Sequence, residues 1–144
     1  MADMYAQIIG DKQLLANLNA LAPKVKKRIM KPAMRKGGQV IAKRAKLKVP
    51  KRSGFLRKAL RALPNKNGNV KIYVNPKVSG WYKEEFVRPA KYAHLVEFGT
   101  QDATAKPFLR PALNEGKDDA FKAVTTEAQK QFGKLASQGK TILK

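Results

Sequence analysis

The chain has 144 residues, 43% of them apolar, no cysteine and a formal net charge of +21. That size fits one domain able to bury a core without disulfides or metals; the apolar content excludes wholesale disorder, and the missing cysteines exclude a disulfide scaffold and thiolate zinc sites while suiting a reducing cytoplasm. No run approaches the ~18 apolar residues needed to cross a bilayer, and residues 1–5 lack the basic start and apolar core of a signal peptide, so neither a leader nor a membrane partner is expected.

Asp11 to Ala22 (DKQLLANLNALA) reads as a short helix, with Asp11 as N-cap and Leu14, Leu18 and Leu21 on one face. Pro23 opens a second helix at a position that tolerates proline. Val25, Ile29, Ala33, Gly37, Ile41 and Ala45 repeat every four residues as its apolar stripe. Lys24, Lys26, Lys27, Arg28, Lys31, Arg35, Lys36, Lys43 and Arg44 form a basic face around it. Pro32, Gly37 and Gly38 predict a kink or break, and Pro50 a stop. Residues 50–54 (PKRSG) are a turn, and Phe55 to Leu63 reads as either a short helix or an extended piece. Pro64 to Asn69 (PNKNGN) is a turn cluster. Val70 to Val74 (VKIYV) alternates as a strand with Val70, Ile72 and Val74 on one face. Trp81 to Arg88 (WYKEEFVR) is a strand or an excursion. Tyr92 to Phe98 (YAHLVEF) reads as a strand stopped by Gly99. A last helix is predicted from about Pro111 to Ala136, with the stripe Leu113, Ala120, Val124, Ala128, Phe132 and Leu135.

Helices, then strands, then a helix specify an α+β fold: N-terminal basic helices, a small antiparallel sheet and a C-terminal amphipathic helix. Residues 1–144 are read as a single domain, with 1–10 and 137–144 as loose ends or partner-binding arms.

Charge is concentrated as well as large. From Lys24 to Arg61 there are sixteen Lys or Arg residues and no acid; between Asp11 and Glu84 no acid occurs at all. One face must be strongly positive, and on this reading unopposed, which favours DNA, RNA, an acidic membrane or an acidic protein. No aromatic residue lies between Met30 and Lys51 to stack bases, and no base-reading motif is present, so any DNA is met through phosphate.

Catalytic signals are poor. His94 is the sole histidine; on a strand it would face away from Glu97, and a structural or interface role is the simpler reading. One histidine with scattered acids supplies no metal site. The neighbouring acids Glu84-Glu85 and Asp118-Asp119 splay apart rather than pair, and no phosphate-binding glycine loop occurs. No cofactor is expected.

Three stretches, VPKRSGFLR (residues 49–57), YAHLVEFGT (92–100) and AKPFLRPAL (105–113), resemble in order and spacing the tail-completion, or head–tail joining (neck), family of long-tailed bacteriophages. The pair EFGT and PFLRPAL, six residues apart, carries most of that resemblance, which extends over roughly Pro23 to Ala136. It implies a non-enzymatic structural subunit closing as a six- or twelve-fold homo-oligomeric ring at the neck or tail top. It further implies neighbours such as a connector or stopper, tail terminator and tail tube, non-specific contact with genomic DNA, and a place in the virion after assembly in the host cytoplasm. The residues it points to are Pro50, Arg52, Ser53, Gly54 and Leu56, then Tyr92, His94, Glu97, Phe98, Gly99 and Thr100, then Pro107, Phe108, Leu109, Arg110 and Pro111. Each is either turn and core of the fold or subunit interface. The competing readings are a nucleic-acid-binding protein acting through non-specific phosphate contacts, which the charge alone suggests, and a small hydrolase or toxin, for which no catalytic cluster is found.

Overall fold

A computed structural model of the chain describes residue 16, residues 19–65 and residues 69–138. Most of the predicted Asp11–Ala22 helix, the middle of the 64–69 turn and the tail beyond Gln138 lie outside the described residues.

The framework is a pair of long helices, α1 (Pro23–Lys48) and α4 (Leu109–Ser137), packed along their lengths. The α1 stripe follows the four-residue period: Ile29, Ala33, Gly37, Ile41 and Ala45 are buried, joined by Gly38 and Ala42, while Val25 at its start is half-buried. The expected break at Pro32 and Gly37-Gly38 does not occur; α1 runs through all three. Burial explains why. Ile29 and Ala33 hold the chain on both sides of Pro32, and tertiary packing supplies more helix stability than local propensity removes. The glycines are points of close approach: a Cβ on Gly37 would meet Val124 and the Ala120 carbonyl of α4, and one on Gly38 would meet Val70 and Ala62 of the sheet. In α4 the buried residues are Ala112, Gly116, Ala128 and Leu135. Leu113 and Phe132, assigned to the stripe from sequence, are exposed instead.

The helices run antiparallel. Arg44 and Lys48 near the end of α1 pair with Asp119 and Glu115 near the start of α4, while Leu21 and Ile29 cluster with Ala128 and Leu135 at the opposite end. These pairs also correct the expectation of an unopposed basic stretch. Acids distant in sequence lie opposite its C-terminal part, and Glu85 lies 3.5 Å from Arg52.

Residues 55–63, ambiguous in sequence, are both things in turn: a short helix α2 (Phe55–Ala59), then strand β1 (Leu60–Pro64). β1 pairs antiparallel with β2 (Val70–Val74), Leu60 opposite Val74 and Ala62 opposite Ile72. WYKEEFVR is an excursion that is itself a hairpin. β3 (Gly80–Tyr82) pairs with β4 (Glu85–Val87) across Lys83-Glu84, with Lys83 at φ 54°. The hairpin lies against the Phe55 ring at Gly80, where a Cβ would meet the ring edge and force it to shift.

The one reversed element is YAHLVEF. It belongs to a helix, α3 (Pro89–Phe98), and not to a strand. Seven residues alternate well enough for a strand, but Pro89, Ala93 and Glu97 are buried four apart, and Pro89 and Gly99 punctuate a helix at its two ends. The second core cluster gathers α3 onto the framework: Ala45, Val49, Leu56, Leu60, Ala93, Phe108 and Ala112, flanked by Ile72, Val74, Tyr92 and Val96.

Candidate assembly groove

The three motif stretches, separate in sequence, converge at the end of the helix pair where α1 stops and α4 starts. After Val49 the PKRSG turn reverses the chain; Gly54, at φ 76°, precedes α2 in the left-handed region that glycine adopts without strain. Across from it stands α3, ended by Gly99 at φ 77° and ψ 179°. The loop after Gly99 is tied by its own bonds: the Thr100 N–H donates to the Ala103 carbonyl at 2.8 Å, the Ala103 N–H to Thr100 Oγ1 at 3.0 Å, and the Lys106 N–H to the Val96 carbonyl at 2.8 Å.

Beneath that loop Glu97 joins the second motif to the third. Its carboxylate accepts the N–H groups of Phe108 at 2.7 Å, Leu109 at 3.0 Å and Arg110 at 3.1 Å. These are the first donors of α4, which an α-helix cannot satisfy internally, and the charge also faces the positive end of the helix dipole. Phe108, 1% exposed, plugs the core beside it. Burial, acting alone, would raise the Glu97 carboxyl; the three N–H groups and the Arg110 charge outweigh it and hold the pKa below its ordinary value. EFGT and PFLRPA therefore meet as a carboxylate latch on a helix N-terminus. The strand reading had missed it, because on a strand Glu97 had no visible partner.

Between the PKRSG turn, α3, the β3–β4 hairpin and the 100–106 loop lies an open groove of about 890 Å³. Of the residues singled out from sequence, Pro50, Arg52, Ser53, Gly54, Leu56, Tyr92 and Thr100 line it. Glu97, Phe108 and Leu109 pack behind it, and Pro111 is half-buried in the first turn of α4. His94, Phe98, Pro107 and Arg110 are exposed; Phe98, 63% exposed, lies under the Arg110 guanidinium, 5.0 Å from its ring centre. The sequence reading missed the hairpin's contribution (Tyr82, Phe86 and Val87) and the cations Arg88, Lys91 and Lys106. The available signal was the symmetry of WYKEEFV, apolar residues on both sides of a charged two-residue turn.

The basic face lies along α1, and none of its residues lines the groove. Lys24, Lys27, Arg28, Lys31, Arg35, Lys36 and Lys43 are exposed, Lys26 and Arg44 half-buried. Lys24, Arg28, Lys31 and Arg35, spaced by three or four, form a continuous stripe. Among the described residues none of these four takes part in an ion pair, no His, Asp and Glu residues gather in threes as a metal site would need, and no helix is long and apolar enough to cross a membrane.

A bacteriophage tail-component family, HK97-gp10-like, matches residues 12–99, more than half of the chain. No curated protein and no solved structure matches it.

Proposed function

The chain belongs to the HK97-gp10-like family of bacteriophage tail components, and from this we propose that it is a structural subunit without catalytic activity. It closes into a homo-oligomeric ring at the neck or tail top, completes the tail and joins it to the head around the DNA passage. The observation that carries the ring reading is the groove: its wall is made by three motif stretches brought to one end of an elongated helix pair. A protein with a concave site at one end suits head-to-tail contact between copies, which closes as a ring when the rotation allows. Infected cells lacking this protein should accumulate filled heads and separate tails; normally joined particles would overturn the reading.

The basic stripe supports contact with the DNA passage or with an acidic neighbouring ring. Exposed charges are screened over ~8 Å at physiological salt, and in a closed ring the charges of copies packed side by side come within that range, so ring closure multiplies the repulsion until a partner of opposite sign relieves it. The isolated protein should then be a monomer or small oligomer at low salt, by mass measurement; a stable closed ring there, without DNA or partner, would remove this argument. Replacing Lys26, Lys27, Arg35 and Lys36 together by Gln should leave the fold intact, since none is buried, yet reduce joining of heads to tails.

A second outcome concerns DNA. With a cationic stripe and no base-reading element, duplex binding should be indifferent to sequence. It should also weaken on the order of 10³-fold between 50 and 200 mM salt if about six phosphates are contacted. Strong discrimination between duplexes at physiological salt would instead favour a dedicated nucleic-acid-binding protein.

A further inference from the structure

The groove has a mixed chemistry. Its lining combines apolar Leu56, Phe86 and Tyr92 with the cations Arg88, Lys91 and Lys106, while the acid Glu85 lies 3.5 Å from Arg52. A fitting occupant is a segment with apolar side chains, acidic residues and no bases. In a chain of 31 Lys and Arg, residues 1–11 (MADMYAQIIGD) are such a segment: Met4, Tyr5, Ile8 and Ile9 are apolar, Asp3 and Asp11 acidic, and no Lys or Arg occurs before Lys12. We propose that the groove of one copy takes residues 1–11 of the next copy, an arm-in-groove contact that links the ring head to tail; this rests on the ring-subunit reading above.

Two geometric facts favour the next copy over the same one. Because α1 and α4 are antiparallel, the chain on both sides of the helix pair joins it at the end opposite the groove. The 26 residues of α1 separate those ends by about 39 Å at ~1.5 Å per residue. Residues 12–22 would span about 36–40 Å only if fully extended, yet the Ala20 N–H donates to the Ala16 carbonyl at 3.1 Å in a helical turn. A chain's own residues 10 and 11 therefore fall short of its own groove, and its earlier residues reach it only if residues 10–15 run fully extended along the helix pair, whereas a copy placed head to tail presents the whole segment without that constraint. Charge then chooses between the two segments leaving that end. Residues 139–144 (GKTILK) carry Lys140 and Lys144 and no acid, and the groove's cations repel them.

The absence of native cysteine makes the test clean. In the full-length chain, Ala6→Cys in the arm is combined with Thr104→Cys at the groove wall, and the protein is mildly oxidised at physiological salt. The expected result is a ladder of disulfide-linked species beyond the dimer, with each single variant stopping at the dimer. Adding Arg88→Glu and Lys91→Glu should cut the linked fraction about tenfold. So should Asp3→Lys with Asp11→Lys, which leaves the groove unaltered and guards against misfolding of the first pair. A disulfide closed within one chain, thiols that stay free, or a ladder indifferent to either charge reversal would overturn the proposal. Closed rings in particles whose cysteines remain unlinked would overturn the docking while leaving the ring reading standing.

Discussion

Glu97→Ala should cost about 3 kcal/mol of folding stability, which for a chain of this size lowers Tm by roughly 10 °C. The variant leaves the N–H groups of Phe108, Leu109 and Arg110 without their acceptor and removes a negative charge from the positive end of α4. Hydrogen bonds to a charged group are worth ~1.5–3 kcal/mol, and orphaned buried donors add their desolvation cost. Glu97→Gln keeps one acceptor oxygen and should lose about half as much. The latch also makes stability depend on pH. The folded carboxyl titrates below its ordinary value of 4.5, so the unfolded chain takes up the proton first on acidification. The stabilisation is complete above the unfolded pKa and is lost as pH falls through the lowered folded one. Denaturant midpoints compared at neutral pH and below pH 4.5 should fall more steeply for wild type than for Glu97→Gln; parallel profiles would show that the carboxylate is not the group responsible.

Gly99→Val should be equally severe, at about 3 kcal/mol or more. At φ 77° and ψ 179° the backbone lies in a region that is essentially glycine's alone, where other residues are strained by ~1–3 kcal/mol. A Cβ there would also stand 2.7 Å from the Ala105 nitrogen and 2.9 Å from the Ala103 oxygen. Both are backbone atoms, so no rotamer change relieves the clash, and the loop that walls the groove must move. Gly54 is the internal control. Its φ is 76°, but nothing lies within 4 Å of its Cβ position, so Gly54→Ala should cost only the conformational term, about 1 kcal/mol. Thermal melts of the two variants side by side check the contrast; near-equal losses would mean that the Gly99 loop yields freely.

The long elements were legible because their periods persist. Over 26 residues the four-residue repeat from Val25 to Ala45 outweighs Pro32 and two glycines, and the VKIYV alternation is short but bounded by turn residues. YAHLVEF misled for the opposite reason: seven residues accommodate both periods, the local signal of Pro89 before it is weak by itself, and the deciding one, the burial of Glu97, is tertiary in origin. The resemblance of EFGT and PFLRPAL to a phage family selected the residues that form the Glu97 latch behind the groove without saying how they meet. A glutamate whose partners are main-chain N–H groups eleven to thirteen residues away leaves no mark in side-chain patterning. Nor does a groove assembled from four separated stretches. The apparent absence of counter-charge was likewise a sequence-distance effect, since Glu115 and Asp119 reach Lys48 and Arg44 only once α4 folds back.

The hairpin beside the groove carries the chain's one tryptophan, and Trp81 is 71% exposed, touching the Phe86 ring edge-on at 5.5 Å between centres. Its indole already sees solvent in the native state. Intrinsic emission should therefore change little on denaturation, and melting curves for the variants above are better followed by the helical signal in the far ultraviolet. The same indole should respond when apolar matter covers the hairpin, shifting its emission to shorter wavelength. The protein thus carries an optical reporter that is nearly silent to unfolding and sensitive to what docks on its tip.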